Sequence, residues 1–292
     1  MSRREDSYRL GQVPGGVLFL TAGVDVQKTW LEGYVYGWGR GCQRWVVDHW
    51  RIERSPFEAA AWDELTGKLN QLYRGQDNRD LSIVRMAVDT GFAANEVYQW
   101  ARQQGGGRVM AVDGRQHLSS LVVAPTQVDV TVSGKRIKRG CKLWPVDVSA
   151  CKSELYGLLG KDRPAEGEPY PAGWVHFAAD LDEEFFKQLT AESLQTHVVK
   201  GYRKTEWVKT RERNEALDCA NYARAGAFVF GMDRHATDER WWTALGAAPP
   251  PQARQVASVT PTRESPAVAP GAQIPGRGES WFGGRGSGWL RR

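Results

Sequence analysis

Three short acidic motifs hold the residues best placed to do chemistry: Gly-Val-Asp-Val-Gln around Asp25, Ala-Val-Asp-Thr-Gly around Asp89, and Asn-Glu-Ala-Leu-Asp-Cys around Asp218. The first two aspartates end apolar, strand-like runs. The third falls inside a helix-like run. Carboxylates in such places are costly unless they are paired or bound to a cation. Three of them, far apart in sequence, read most simply as a cluster that converges on divalent metal. Oxygen donors with open water positions suit Mg2+ or Mn2+ rather than zinc. Two such ions held between carboxylates are the means of phosphodiester hydrolysis. The histidines (His49, His117, His176, His197, His235) show no metal-ligand spacing. Cys42, Cys141, Cys151 and Cys219 form no C-x-x-C pair, so they read as reduced thiols, not as a disulfide frame or zinc site.

At 292 residues the chain is long enough for one large domain or two small ones. No apolar run approaches the roughly 20 residues of a membrane span. The start, Met-Ser-Arg-Arg-Glu-Asp, lacks the apolar segment of a signal peptide. A cytoplasmic protein with no membrane partner is expected. The formal charge of +5 is unevenly spread: from Gly246 onward, Arg254, Arg263, Arg277, Arg285, Arg291 and Arg292 face only Glu264 and Glu279. The remainder is close to neutral, so any nucleic-acid surface must be a local patch. Candidate phosphate contacts are Lys135, Arg136, Lys138 and Arg139, with Lys200, Arg203 and Lys204. Basic hairpins also serve simply as solvated edges that block aggregation.

These groups need a scaffold, and the patterning supplies one. Residues 1–16 read as a flexible lead-in. The runs VLFLTAGVDV, LEGYVYGW and RWVVDHW, separated by short polar turns, predict an antiparallel meander. Ser55-Pro56 reads as a helix start, with Ser55 as N-cap, running to about Tyr73. SIVRMAVD predicts a strand buried on both faces. A helix over about 93–104 and the strand GRVMAVDG follow. A hairpin turns at Ser133-Gly134, and a helix spans Ser149 to Leu159. A short strand at Trp174–Phe177, a helix near Asp182–Leu189, and a second hairpin at Lys200-Gly201 come next. A helix from Asn214 to Phe230, capped by Asn214, closes the domain. Residues 246–292 read as a disordered Pro/Gly/Arg-rich tail. Its Trp281, Phe282 and Trp289 have no core to enter and suggest a docking motif. Three antiparallel strands, a helix, a buried strand and further α/β units resemble the ribonuclease H-like fold: a mixed sheet flanked by helices, here over residues 17–245. In that fold Asp25 and Asp89 lie side by side.

The motifs are more specific than the fold. GVDVQ, VDTG followed by Val-Tyr-Gln-Trp, and RNEALDCANYARA together resemble the nuclease domain of phage-lambda-type terminase large subunits, the genome-packaging enzymes of tailed phages. The likeness covers roughly residues 17–230, and Trp207-Val-Lys through Asp218 carries it most strongly. PVDVSACKSELYGLL is similar to the family's Lys-containing helix after a strand. The resemblance implies a metal-dependent endonuclease that cuts concatemeric double-stranded DNA in the cytoplasm of a bacterial host. It places Asp25, Asp89 and Asp218 at the family's acidic positions. It also implies a small terminase subunit and a portal as partners, the portal through the tail. Family members usually carry an ATPase domain, yet no G-x-x-x-x-G-K-[ST] occurs here. The chain is therefore expected to be a split-gene nuclease subunit, a fragment or a remnant, with translocation needing a separate ATPase chain.

Each residue also has a plainer reading. Asp25 caps a strand at a turn; Asp89 makes an Asx-turn; Asp218 answers the positive end of a helix dipole. Glu215, on the same helical face as Asp218, is a further ligand or a solvated charge. Lys152 is a lysine near phosphate or a capping charge. Asp113, before a glycine, reads as a turn residue. Another ribonuclease H-like nuclease of resolvase or integrase type, and a non-catalytic packaging adaptor, are the alternative functions.

Overall fold

A two-residue strand, β1 (Arg4–Glu5), precedes the expected meander of β2 (Phe19–Val26), β3 (Leu31–Gly39) and β4 (Gln43–Ile52). Every residue of β2 and β3 is buried, so both faces of the sheet are covered here. That is why these runs are mostly apolar instead of alternating. The computed structural model describes residues 4–5, 7–105, 107–199 and 201–247. After the meander come α1 (Ala59–Asn70), β5 (Leu72–Arg74), β6 (Asp80–Asp89), α2 (Ala94–Gln103) and β7 (Val109–Arg115). The basic hairpin is β8 (Thr126–Val132) and β9 (Lys135–Asp147), with left-handed φ at Ser133 and Gly134 in its turn. Then follow α3 (Val148–Leu159), β10 (Val175–Ala178), α4 (Glu183–Leu189), the hairpin β11 (Glu192–Val199) and β12 (Tyr202–Lys209), α5 (Glu215–Phe230) and α6 (Glu239–Ala247).

The strand order is β1-β10-β4-β3-β2-β6-β7-β9-β8, with β5 paired to β6. Strands β2, β6, β7 and β9 run parallel to their neighbours in this series. This is a central mixed sheet flanked by helices. Helix α5 crosses β2, β3 and β6, with α3 and α4 beside it. Helices α1 and α2 pack on each other, Trp100 Nε1 donating to Thr66 Oγ1 at 2.9 Å, and cover the face that α5 leaves. The register between β2 and β6 sets Val24 beside Val88, so Asp25 and Asp89 leave the sheet together at the same strand ends. Crevices outside the carboxyl ends of parallel strands are where open α/β sheets place ligands.

Several expectations need correction. Helix α1 begins at Ala59 with Glu58 at its N-cap position, not at Ser55-Pro56. Ser55 closes a turn instead, its carbonyl accepting from Glu58 N at 2.9 Å. The helix also stops at Asn70. Tyr73 lies in β5, buried, with its hydroxyl donating to Asp48 Oδ2 at 2.9 Å. The lead-in is not loose throughout: β1 pairs with β10, and Tyr8 and Val13 are buried. Helix α6 runs to Ala247, past the expected boundary at 245. It is held by Trp242, whose ring lies 6.3 Å from that of Phe19. Its short apolar face, Trp241 and Trp242, is what the reading of a composition shift passed over. The tail from residue 248, with Trp281, Phe282 and Trp289, lies outside the described residues.

Candidate active site

Strand periodicity decides which β2 side chains meet α5. Thr21, Gly23 and Asp25 are two apart and share a face. Thr21 Oγ1 donates to Ala223 O of α5 at 2.7 Å. Gly23 lies against the α5 backbone: a Cβ there would stand 1.9 Å from the Cys219 carbonyl oxygen. This near-contact of backbones is why a glycine sits in the middle of a central strand. It also brings Asp25, two residues on, towards Asp218, the residue before Cys219. Asp89 reaches α5 from β6: Tyr222 OH donates to its Oδ1 at 2.8 Å. Its other oxygen accepts from Gly91 N at 3.0 Å, so the Asx-turn is real and uses only half of the carboxylate.

The three aspartates act on one another electrically. Burial is the main cause that pushes the Asp25 carboxyl up to about 7; a hydrogen bond from Gln27 opposes it, and the charges of Asp89, Glu215 and Glu32 add to it. Asp218 is likewise pushed up to about 7 by burial and then by Asp25, with Lys152 opposing. Burial also raises Asp89, against hydrogen bonds from Tyr222 and the backbone. Gln27 Nε2 donates to Asp25 Oδ2 at 2.6 Å. Among the described residues, no three His, Cys, Asp or Glu side chains stand at ion-holding distances.

Two neighbouring carboxylates, Glu32 and Glu215, share a guanidinium partner. Glu32 stands opposite Asp25 in the β2–β3 register and is buried. Burial works against its charge, but the hydrogen bond from His49 and the charges of His49, Arg213 and Arg51 outweigh burial and hold its carboxyl below the usual range. Arg213 donates to Glu32 Oε2 at 3.1 Å and to Glu215 Oε2 at 3.3 Å. Glu215 is therefore not a solvated charge: it is buried and has a guanidinium partner. Glu32 was absent from the sequence reading, although a glutamate inside the apolar run LEGYVYGW was a usable signal.

The other described candidates fall in four places. Lys152 is buried on α3 and ion-paired to buried Glu192 at 2.7 Å. Asp113 pairs with Arg115 at 2.8 Å. On the β8–β9 hairpin, Lys135, Arg136, Lys138 and Arg139 are exposed, and Arg136 pairs with Asp129 at 2.6 Å. Arg203 and Lys204 are exposed on β12, Lys204 pairing with Glu206 at 2.5 Å. Lys200 lies outside the described residues. None of the described cations on these hairpins hydrogen-bonds the aspartate cluster in this arrangement.

Comparison with known proteins agrees with the motifs. A family model described as terminase large subunit gpA, endonuclease domain, matches residues 1–241. The terminase large subunit of Enterobacteria phage P21 is 32% identical over 221 residues, 74% of this chain and 33% of the relative. The terminase large subunit of Escherichia phage lambda is 32% identical over 231 residues, 77% of this chain and 34% of the relative. The chain thus spans about one third of the length of these curated relatives. Among the described residues, no helix is long and apolar enough to cross a membrane. With motifs, strand-end carboxylates and a match over most of its length in agreement, the chain belongs to the family of terminase large subunit gpA endonuclease domains.

Proposed function

We propose that this chain is a divalent-metal-dependent endonuclease that cuts concatemeric double-stranded DNA during viral genome packaging. What supports the reading is the placement of Asp25 and Asp89 at neighbouring parallel strand ends, with Asp218 on the helix packed against them, and the burial that raises all three carboxyls. Its strand order, β4-β3-β2-β6-β7 with three antiparallel and then parallel strands, supports a ribonuclease H-like reading of the fold.

The residues fit a hard cation. The donors are carboxylate oxygens, as Mg2+ and Mn2+ prefer. Asp25 is buried, and the charged groups that act on it are other carboxylates. Asp25, Asp89 and Asp218 would hold the ions. When bound, such ions supply a water of lowered pKa and charge stabilisation for the leaving oxygen. The chain's own residues do the rest. Tyr222 and Gly91 fix the Asp89 carboxylate, Gln27 steadies Asp25, His49 and Arg213 hold the Glu32 carboxyl below the usual range, and Arg213 also bonds Glu215. No general-base histidine is required.

The exposed hairpin cations Lys135, Arg136, Lys138, Arg139, Arg203 and Lys204 are proposed to meet DNA phosphates, with Lys200. A separate ATPase chain, a small terminase subunit and a portal reached through the tail are the proposed partners, in the host cytoplasm. The test is nicking of plasmid DNA by the full chain in Mg2+ or Mn2+, with and without chelator, beside Asp25→Ala. Metal-dependent nicking that Asp25→Ala abolishes, with a matched circular dichroism spectrum, is expected. Cleavage that survives in the variant overturns the assignment, and no cleavage in either metal favours a packaging adaptor.

A further inference from the structure

Asn214 occupies the N-cap position of α5, yet its side chain makes no capping hydrogen bond. A side chain from another helix reaches that end of α5: Gln188 of α4 accepts from Ala216 N at 3.3 Å. The freed Asn214 amide is turned between two carboxylates. Its Nδ2 donates to Asp218 Oδ2 at 2.9 Å and to Glu192 Oε1 at 3.1 Å. Glu192 is in turn gripped by Lys152 Nζ through its other oxygen at 2.7 Å. Asn214, Glu192 and Lys152 are all buried. Glu192 is fixed from its backbone too, its carbonyl accepting from Tyr156 OH of α3 at 2.6 Å. The result is a continuous chain, Lys152 to Glu192 to Asn214 to Asp218, rooted in α3 and ending at the cluster.

An Asn amide has two N–H donors, and both are used here. Both acceptors are carboxylates, so the bonds are charge-assisted and stronger than neutral ones. Rotation of an aspartate about χ2 is otherwise broad and two-fold. A bond to Oδ2 therefore decides which way the Asp218 carboxylate faces. An aspartate in place of Asn214 would set a third negative group between two others, which explains why the amide is the residue type that fits.

We propose that Asn214, anchored by the Lys152–Glu192 pair, is a positioning residue that sets the orientation of the Asp218 carboxylate at the acidic cluster. The proposal rests on the reading of that cluster as a metal site. Partners that orient metal ligands typically change affinity by about 10- to 100-fold when removed. The test uses the full chain and Mn2+ alone, titrated by calorimetry without DNA. Asn214→Ala should weaken Mn2+ binding by about tenfold. Glu192→Gln should act in the same direction, and the double variant should be no worse than Asn214→Ala. In an Asp218→Ala background, Asn214→Ala should have no further effect. In cleavage, kcat should fall with little change in KM for DNA. An unchanged Mn2+ affinity, or an equal further loss in the Asp218→Ala background, overturns the proposal, because a merely structural defect would persist there. A second readout separates this from failure of the metal reading. In 15N spectra the Asn214 side-chain amide should be shifted and slow to exchange, and Asp218→Asn and Glu192→Gln should each move it. If wild type binds no Mn2+ but keeps that signature, the metal reading falls and the positioning chain stands. A freely exchanging Asn214 amide overturns the positioning chain.

Discussion

Replacing Gly23 with alanine should separate the two halves of the acidic cluster. The added methyl would stand 1.9 Å from the Cys219 carbonyl oxygen, 2.7 Å from its carbon and 2.8 Å from Ala223 N. All three atoms are backbone, so no change of rotamer relieves the clash. Ordinary contact begins near 3.4 Å, so α5 and β2 must part by about 1.5 Å at this point. Asp218 directly precedes Cys219 and moves with it, away from Asp25. Misplacing a reacting group by about 1 Å costs on the order of 100-fold in rate, and overpacking a core costs about 1–3 kcal/mol. Gly23→Ala should therefore lose roughly 100-fold in plasmid-nicking rate at saturating Mn2+, while its urea midpoint falls but folding persists. Gly67→Ala is the control. Gly67 lies in α1 with nothing within 4 Å of an added Cβ, so its replacement should raise stability by about 0.5–1 kcal/mol and leave nicking alone. Wild-type cleavage by Gly23→Ala would refute the idea that the approach of α5 to β2 assembles the site.

Three further outcomes follow from the charges. Asp25 titrates near 7 in the folded chain, against about 3.9 unfolded; the folded state therefore holds the extra proton between these values, and metal-free stability falls as pH rises through that window. Asp25→Asn should raise metal-free stability at pH 8 by roughly 2–4 kcal/mol and change it little at pH 3.5, read from urea melts in chelator. Glu154 accepts hydrogen bonds from Arg44 and Arg224; burial alone would raise its carboxyl, but the two guanidinium groups hold it at about 2. Its contribution is present above the unfolded value of about 4.3 and lost as pH falls towards 2. Glu154→Gln should cost about 3–5 kcal/mol at pH 7 by leaving Arg44 uncompensated, and it should flatten the acid limb of the stability profile. Replacing Lys135, Arg136, Lys138 and Arg139 together by alanine should weaken DNA binding alike on all sequences and make its salt dependence shallower. Unchanged binding by fluorescence anisotropy would move the DNA surface elsewhere.

The meander, the buried strand β6 and the last long helix were legible because burial on both faces leaves continuous apolar runs. Asp25 and Asp89 were legible because a charge that ends such a run is conspicuous. Helix α1 was misjudged at both ends because Ser55-Pro56 carries the local chemistry of a helix start, while the chain spends those residues on a turn. Asn214 was read as a cap from residue type alone. The structure keeps it at that position but commits its amide to two carboxylates, one of them supplied by β11, more than twenty residues earlier. Glu192 could not be placed for the same reason, since its partners Lys152 and Asn214 are distant in sequence; Glu32 stood out in its apolar run, but its role comes from His49 and Arg213, which that run does not encode.

The central claim is that Asp25, Asp89 and Asp218 hold divalent metal. Anomalous diffraction from crystals of the full chain soaked in Mn2+ tests it most directly. The account predicts two peaks about 3.5–4 Å apart, held by Asp25, Asp89 and Asp218, and their loss in Asp25→Ala. Peaks that lie elsewhere, or that persist unchanged in Asp25→Ala, would contradict it.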